Sequence, residues 1–277
     1  MSKTWFITGA SSGLGRELAE QLLARGDRVV GTVRREDALS DLARTYGEAL
    51  TTMLLDVTDT ARLRAVVDEA FGRMGRIDIV VSNAGYGLFG AAEELEDGQI
   101  DHQIATNLTG SIQLVRAALP HLRRQGGGRV LQVSSEGGQI AYPNFSLYHA
   151  TKWGIEGFVE AVAQEVAPFG IDFILAEPGP TATNFGAGLV RPAPMDVYDN
   201  TPAGDVRRAI DGGGFVLKGD GARTVAAMIA AADSAEPPLR LALGSTAYES
   251  ISTALTQRRT AIEAQREVAF SADRQDV

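Results

Sequence analysis

Short apolar runs alternate with longer amphipathic stretches along the first two thirds of the chain. Runs rich in Val, Ile, Leu and Thr that end at glycine or polar residues are typical of β-strands. Asp78 is the one charged residue inside the fourth run, and such near-continuous apolar character indicates strands covered on both faces. The predicted strands occupy residues 4–8, 28–33, 51–55, 77–82, 129–134 and 171–176, with a seventh at 239–243.

The segments between these strands carry the apolar spacing of α-helices. Leu14, Leu18 and Leu22 recur one turn apart and predict a helix that follows the first strand directly. Strands that alternate with helices predict an α/β fold, here a doubly wound parallel sheet of about seven strands in a single domain. The predicted helices occupy residues 14–24, 61–71, 97–124, 146–167 and 225–232.

Two segments in the last third of the chain differ from this pattern. Residues 184–221 hold several prolines, three consecutive glycines and no sustained periodicity, so we expect a long mobile loop there. Residues 249–270 place Ile251, Leu255 and Ile262 among charges, which predicts a C-terminal helix with an apolar stripe. A loop as long as residues 184–221 inside a compact domain is usually functional.

Composition excludes several classes of protein. The 277 residues include 26 Lys+Arg against 35 Asp+Glu, a net charge of −9, which argues against nucleic acid or an anionic membrane as the main partner. The chain has no cysteine, which excludes disulfides, thiol nucleophiles and Cys-ligated zinc, and its three histidines suggest no metal site. Because no apolar run approaches the ~18 residues of a membrane span and no signal-peptide core is present, we expect a cytoplasmic protein.

A glycine-rich turn follows the first predicted strand. Its sequence, Thr8-Gly-Ala-Ser-Ser-Gly-Leu-Gly15, leads straight into a helix. Glycines at 9, 13 and 15 leave backbone N–H groups uncovered at the helix N-terminus, where a pyrophosphate would be stabilised. The GxxxGxG spacing differs from the GxGxxG of the usual dinucleotide fingerprint, so a glycine-rich turn without a ligand is the alternative interpretation.

The end of the second strand indicates which dinucleotide would bind. An acidic residue about 20 positions after the glycine turn usually binds the ribose 2′-hydroxyl of NAD. This chain has Val33, Arg34 and Arg35 in that region, and arginine favours a 2′-phosphate by charge and bidentate geometry. We therefore expect NADP(H) in preference to NAD(H). Two solvated arginines that pair with Glu36 and Asp37 are the alternative.

Tyr148 and Lys152 lie one helical turn apart, and Ser135 ends the fifth strand upstream of them. The tyrosine and the lysine therefore share one helix face, and a close ammonium stabilises a phenolate and lowers its pKa. Ligands of open α/β sheets bind at the carboxyl ends of the strands, where Ser135 lies. A tyrosine and a lysine at this spacing occur often by chance, so the pair indicates a function only together with the other motifs of the chain.

Taken together, these motifs resemble the classical branch of the short-chain dehydrogenase/reductase family over about residues 3–184, with most likeness to its steroid and retinol dehydrogenase-like bacterial members. The resemblance implies a Rossmann-type fold and the interconversion of a carbonyl and an alcohol with NADP(H), NAD(H) being possible. Besides the glycine turn and the Ser135, Tyr148 and Lys152 set, it rests on Asp56-Val57, Asn83-Ala84-Gly85, Asn107 and Pro178-Gly179, in that order.

The resemblance also implies roles for individual residues. Tyr148 would be the proton donor or acceptor, Lys152 would bind the nicotinamide ribose and lower the pKa of the tyrosine, and Ser135 would bind the substrate oxygen. Asn107 would hold a water in a proton relay, Asp56 would bind the adenine, and Thr183 would bind the nicotinamide amide. The implied cofactor-binding residues are Gly9, Ser11, Ser12, Gly13, Leu14, Gly15, Arg34, Arg35, Asp56, Val57, Asn83, Ala84, Gly85, Tyr148, Lys152, Pro178, Gly179, Thr181 and Thr183.

The remaining expectations concern the substrate and the assembly. Residues 184–221 would cover a small-molecule carbonyl or alcohol, and a homodimer or homotetramer would form through the helices at 97–124 and 146–167. A protein that senses NADP without catalysis is the rival interpretation. The apolar residues of the cover would be Phe185, Leu189, Val190, Met195, Val197, Phe215 and Val216.

Overall fold

A computed structural model describes residues 2–214 and 216–274 of the chain. The strands are β1 (Thr4–Ile7), β2 (Arg28–Val33), β3 (Leu50–Leu54), β4 (Ile79–Ser82), β5 (Gly128–Val133), β6 (Ile171–Pro178), β7 (Thr181–Ala182), β8 (Gly219–Asp220) and β9 (Arg240–Leu243). The helices are α1 (Gly13–Ala24), α2 (Ser40–Tyr46), α3 (Thr60–Met74), α4 (Asp97–Ile104), α5 (Gly110–Arg124), α6 (Ser146–Val166), α7 (Pro202–Asp211), α8 (Gly221–Asp233), α9 (Ser245–Glu263) and α10 (Arg266–Ser271).

Seven of the strands form one parallel sheet in the order β3-β2-β1-β4-β5-β6-β9. The strand order reverses between β1 and β4, which is the switch point where open α/β sheets leave a crevice for ligands. The expected doubly wound α/β fold is confirmed, and each of the seven predicted strands exists with ends shifted by a few residues. The short strands β7 and β8 form a separate parallel pair.

Alternating side chains of the strands supply two apolar layers. Trp5 and Ile7 face a core that includes Leu18 of α1 and Val225 of α8, whereas Phe6 belongs to a second core. Helices α3, α5 and α6 cover this second core. Because both faces of the sheet are covered, most side chains of its strands are apolar, although Gln132 and Glu177 are buried polar residues within β5 and β6.

The helix expected over residues 97–124 is not one regular α-helix. Helices α4 and α5 are joined by a π-helical turn, Ala105–Thr109, which contains Asn107. The Ser111 hydroxyl donates to the backbone oxygen of Asn107 over 3.0 Å within this turn. Single π turns inside α-helices are often found at functional sites, and apolar periodicity does not reveal them.

The expectation of an irregular loop throughout residues 184–221 is wrong, because the segment contains helix α7. The Thr201 hydroxyl caps the helix by accepting from the Ala203 N–H, and Pro202 occupies the first helical position, where its missing N–H costs nothing. The C-terminal helix also differs from expectation, since α9 begins at Ser245 and residues 264–265 separate it from α10. No helix within the described ranges is long and apolar enough to cross a membrane.

Candidate active site

The glycine turn after β1 is packed tightly against the end of β4. Gly9 has φ +67°, and a Cβ on it would lie 3.0 Å from the Ala84 Cα. A Cβ on Gly15 would lie 2.4 Å from the Asn83 side-chain nitrogen, which donates to the backbone oxygens of Thr8 and Gly9 over 2.9 and 3.1 Å. These two positions therefore require glycine for close packing.

The start of α1 is open in front of this turn. Ser11 and Ser12 are exposed, and Ser12 makes no side-chain cap to the helix. A Cβ on Gly13 would meet no atom within 4 Å, while Leu14 packs against the core. Uncapped N–H groups at an open helix N-terminus fit a pyrophosphate, so the residues present suit a dinucleotide.

The ends of β2 and β3 lie beside the glycine turn, at the carboxyl edge of the sheet. Arg34 and Arg35 are exposed, and Arg35 faces Asp37 at 3.9 Å, with both side chains 80% exposed. The Asp56 carboxylate accepts from the N–H and the hydroxyl of Thr58 over 2.9 and 2.7 Å. These two bonds lower the pKa of Asp56, and the charge of Arg34 adds to the effect. The neighbouring Val57 is buried.

Ser135, Tyr148 and Lys152 converge beside the end of β5. They are 8%, 6% and 7% exposed, respectively. The Lys152 ammonium donates to the Val133 backbone oxygen over 3.0 Å and lies 5.5 Å from the centre of the Tyr148 ring. The Ser135 hydroxyl accepts from the Gly137 N–H over 3.1 Å and opposes the effect of burial on the Tyr148 phenol by hydrogen bonding.

Burial dominates the pKa values of Tyr148 and Lys152. Burial raises the pKa of Tyr148 to about 12, and the bond from Ser135 opposes this only in part. Burial lowers the pKa of Lys152 to about 8, with Glu156 opposing. Desolvation of the phenol is the largest effect on the pKa of Tyr148 in this arrangement, and the lowering of that pKa by Lys152 stays a prediction. Near neutral pH the phenol is protonated.

The Asn107 side chain forms hydrogen bonds with the backbone of the β4–α4 connection. Its side-chain oxygen accepts from the Tyr86 N–H over 3.1 Å, and its side-chain nitrogen donates to the Tyr86 oxygen over 2.8 Å. The neighbouring Gly85 is exposed, and a Cβ on it would lie 3.2 Å from the Asn107 side-chain oxygen. Asn107 thus fixes the loop that follows Asn83, and its role in a proton relay stays a prediction.

The segment after β6 completes the edge next to β5. A Cβ on Gly179 would lie 3.0 Å from the Ala247 backbone nitrogen, so helix α9 packs closely on the Pro178-Gly179 segment. The Thr181 hydroxyl donates to the Gly179 oxygen over 2.8 Å, and the Thr183 hydroxyl accepts from the Phe185 N–H over 3.3 Å. Residues 178–183, several of which are predicted to bind the cofactor, therefore form a turn beside the end of β5, where Ser135 lies.

An aromatic cluster covers the phenol of Tyr148. Phe89, Phe145 and Tyr148 form its buried part, and Tyr142, Leu189, Val206 and Ile210 pack around them. The Phe185 ring centre lies 5.6 Å from that of Tyr148. Two other predicted cover residues do not contribute, since Val197 and Val216 are 70% and 71% exposed, and Phe215 lies outside the described residues. Val206 and Ile210 were missed because α7 was not predicted.

A buried set of charges that no sequence motif indicated lies beside the site. Glu156 and Glu177 are 2% and 1% exposed, and both accept hydrogen bonds from Arg240. Glu156 follows Lys152 by one turn and interrupts the apolar face of α6, which was the available signal. Arg240 lies far away in the sequence, and no spacing rule connects it to the other two.

Comparisons with known proteins identify the family of the chain. The family model described as short chain dehydrogenase matches residues 3–192. The chain is 37% identical over 253 residues to the oxidoreductase BOA17 of Botryotinia fuckeliana, covering 90% of this chain and 91% of that protein. It superimposes with a TM-score of 0.91 on a short-chain dehydrogenase of Streptomyces avermitilis, at 39% identity and 98% coverage of each chain.

A third comparison links the fold to a nicotinamide ligand. The alcohol dehydrogenase of the archaeon Thermococcus sibiricus, solved with 5-hydroxy-NADP, gives a TM-score of 0.72 at 25% identity, covering 88% of this chain and 96% of that one. With the family model matching most of the chain, this protein belongs to the short chain dehydrogenase family. It is accordingly an oxidoreductase of CH–OH and carbonyl groups that uses NAD(P).

Proposed function

We propose that the protein is an NADP(H)-dependent oxidoreductase that interconverts a carbonyl and an alcohol, with Tyr148 as the proton donor or acceptor. The observation that carries this proposal is the convergence of Ser135, Tyr148 and Lys152 at the carboxyl end of β5. Three buried groups able to hydrogen-bond an oxygen or hold a charge, under an apolar cover, suit a carbonyl that gains negative charge.

Residues of this chain would hold the dinucleotide along the sheet edge. Gly9, Gly13 and Gly15 would admit the pyrophosphate at the start of α1, and Asp56 would receive the adenine. Lys152 and Thr183 would bind the ribose and the amide of the nicotinamide. When bound, the nicotinamide supplies or accepts the hydride, and the protein contributes orientation and the proton.

The side chains at the substrate position would have separate tasks. The Tyr148 phenol is protonated near neutral pH because burial raises its pKa, so it would donate to the substrate oxygen during reduction. The Ser135 hydroxyl would donate a second hydrogen bond to the same oxygen. The aromatic cluster around Phe89 and Phe145 would exclude water, which strengthens both bonds.

The preference for NADP(H) rests on Arg34 and Arg35, which are exposed at the end of β2, where a 2′-phosphate would lie. The Thermococcus sibiricus alcohol dehydrogenase, solved with 5-hydroxy-NADP, supports the same choice. An NAD-preferring dehydrogenase is the second candidate, because Asp37 lies 3.9 Å from Arg35 and competes for its charge.

We also propose a homodimer or homotetramer in a reducing cytoplasm. The absence of cysteine supports the compartment. Apolar side chains of α9 support the assembly, since Tyr248, Leu255 and Ile262 are 68%, 48% and 71% exposed. Light scattering coupled to gel filtration tests the assembly, and a monomer at working concentration would contradict it.

The experiment that tests the function follows NADPH consumption over a panel of carbonyl compounds, with NADH in parallel. Ketones with apolar substituents are expected to be reduced, and NADPH is expected to be the more efficient cofactor. NADPH binding without turnover on any carbonyl would favour a non-catalytic sensor of the same fold. Equal or better efficiency with NADH would refute the cofactor preference alone.

A further inference from the structure

A buried network of charges lies behind the proposed catalytic residues. Arg240 of β9 donates from Nη1 to Glu156 Oε2 of α6 over 2.6 Å and to Glu177 Oε1 of β6 over 2.5 Å. The side chains of both glutamates are almost fully buried, whereas that of Arg240 is 31% exposed. One guanidinium therefore joins the last strand of the sheet to two elements that carry proposed site residues.

The second oxygen of each carboxylate binds the segment that follows β5. The hydroxyl of Ser134, immediately before the proposed catalytic serine, donates to Glu156 Oε1 over 2.5 Å. The Gln139 side chain donates to Glu177 Oε2 over 2.6 Å. A Cβ on Gly138 would lie 1.8 Å from Glu156 Oε1, so this turn approaches the carboxylate as closely as a glycine permits.

We propose that Arg240 is a positioning residue: through Glu156 and Glu177 it fixes the turn that bears the catalytic serine against the helix that bears the catalytic tyrosine and lysine. The inference rests on the proposed function, because the groups it positions are the reacting ones. We call Arg240, Glu156, Glu177, Ser134 and Gln139 the Arg240 brace. In each of the two buried carboxylates one oxygen accepts from Arg240 of β9 and the other from the segment after β5, which sets the mutual geometry of these elements.

The arrangement is better explained by positioning than by stability alone. A buried ion pair is weak evidence for stability, because desolvation of the two charges offsets their attraction. Groups behind a reacting set often act by holding its side chains within a narrow range of orientations. Here the brace ties the segments before and after Ser135 to α6 and to the end of β6, and all three meet at the site.

The brace also balances charge near the reacting groups. Glu156 opposes the effect of burial on the pKa of Lys152 and adds to the raised pKa of Tyr148. Without Arg240, the charge of Glu156 would be less compensated, which would raise the pKa of both Lys152 and Tyr148. The titratable groups that face Tyr148 from the elements packed on it are Glu136, Tyr142, His149, Lys152 and Glu156.

The experiment compares Arg240→Met with Arg129→Met. Arg129 is a matched control on β5, where it pairs with Asp172 at 3.3 Å and donates to the Ala232 oxygen, away from the site. We expect Arg240→Met to lower kcat about 10–100-fold, because small misplacements of reacting groups reduce rate this strongly. Arg129→Met should keep its kcat within about twofold of the wild type. A loss of kcat no larger than that of the control would overturn the proposal.

A pH profile separates positioning from general destabilisation. The limb of the kcat profile that reports deprotonation of Lys152, whose pKa is about 8, should move to higher pH in Arg240→Met, because Glu156 then loses its partner and raises this pKa. Adding Glu156→Gln to that variant should move the limb back, since the uncompensated charge is then removed. A limb that stays at the wild-type pH, with only a lower melting temperature, would assign Arg240 a purely structural role and refute the inference.

Hydrogen exchange tests the brace without any turnover. In Arg240→Met the amides of residues 134–142 and 177–180 should exchange faster together, while Arg129→Met leaves them unchanged. If Arg240→Met does not fold, Gln139→Met removes the link to the turn alone and should raise exchange in residues 136–142. Unchanged exchange overturns the brace. If the wild type reduces no carbonyl, the proposed function is overturned, but the hydrogen-exchange comparison still tests the brace because it does not depend on turnover.

Discussion

The floor and the cover of the site are built in different ways. The floor consists of Ser135, Tyr148 and Lys152, which are all buried. The Ser135 hydroxyl accepts from the adjoining turn, and the Lys152 ammonium donates to the backbone of β5. The cover, residues 184–214 and 216–221 in the described part of the chain, has many exposed side chains. It is attached by a bridge between Leu88 and Val190 and by a few side chains of α7.

This difference indicates a division of tasks between the two regions. Groups on rigid elements hold the geometry that a reaction requires, whereas loops vary and open more easily. Changes in the floor should therefore lower kcat, and changes in the cover should raise KM with little effect on kcat. Variants in each region test this difference.

The largest effect is expected for Tyr148→Phe in the floor. Without the phenol hydroxyl no side chain donates the proton, so kcat should fall by about 10²–10⁴-fold. NADPH binding, measured by fluorescence, should persist. Tyr142→Phe is the matched control, a second phenol in the same aromatic cluster, and it should keep most of the activity. Near-normal turnover of Tyr148→Phe would remove the basis of the proposed mechanism.

Gly15→Ala should be the next largest effect, because the added Cβ would lie 2.4 Å from both the Asn83 side chain and the Gly9 oxygen. Overpacking of this kind costs about 1–3 kcal/mol in the free energy of unfolding, measured by urea denaturation. The displaced turn should also weaken NADPH binding. Gly72→Ala is the control, since a Cβ there meets no atom within 4 Å and alanine favours a helix. Equal stability of the two variants would contradict the tight packing of the turn.

Arg34→Ala combined with Arg35→Ala tests the adenosine end of the proposed cofactor site, at the end of β2. Loss of the charged contacts to a 2′-phosphate should raise the NADPH dissociation constant about 10–100-fold, with NADH binding unchanged. Arg28→Ala, at the opposite end of the same strand, is the control. If both dissociation constants rise equally or neither changes, the two arginines do not select the cofactor.

The floor was predictable from sequence to a greater extent than the cover. Strand ends follow from apolar runs, and the residues at the end of β5 and on α6 follow from motif and period. Helix α7 was missed, although Thr201 and Pro202 are an N-terminal signal, because only Val206 and Ile210 mark its inner face. The Arg240 brace could not be predicted from the sequence, because it depends on which strand ends meet and not on local spacing.

The smallest effect is expected in the cover, at its attachment to Glu94. This buried carboxylate accepts from the Met195 N–H over 2.8 Å and from the Arg207 guanidinium over 2.5 Å. Arg207→Met should raise KM several-fold with kcat unchanged, and should speed proteolysis within the cover. Arg208→Met is the control, because its pair with Asp205 is exposed and such pairs contribute ~0–1 kcal/mol. A fall in kcat as large as that of a floor variant would contradict the inference that floor and cover have separate tasks.

The same attachment has a predictable pH dependence. Burial alone would raise the pKa of Glu94, but the bonds from Met195, Ala91 and Arg207 outweigh it, so the pKa is lowered. A carboxyl with a lowered folded pKa stabilises the attached state above its ordinary value of about 4.3, and this contribution is lost as pH falls through the folded value. Hydrogen exchange of residues 190–199 should therefore rise, after correction for intrinsic rates, as the pH is lowered below about 4, and in Arg207→Met this dependence should shrink. Corrected exchange that is flat with pH in the wild type would show that Glu94 does not hold the cover.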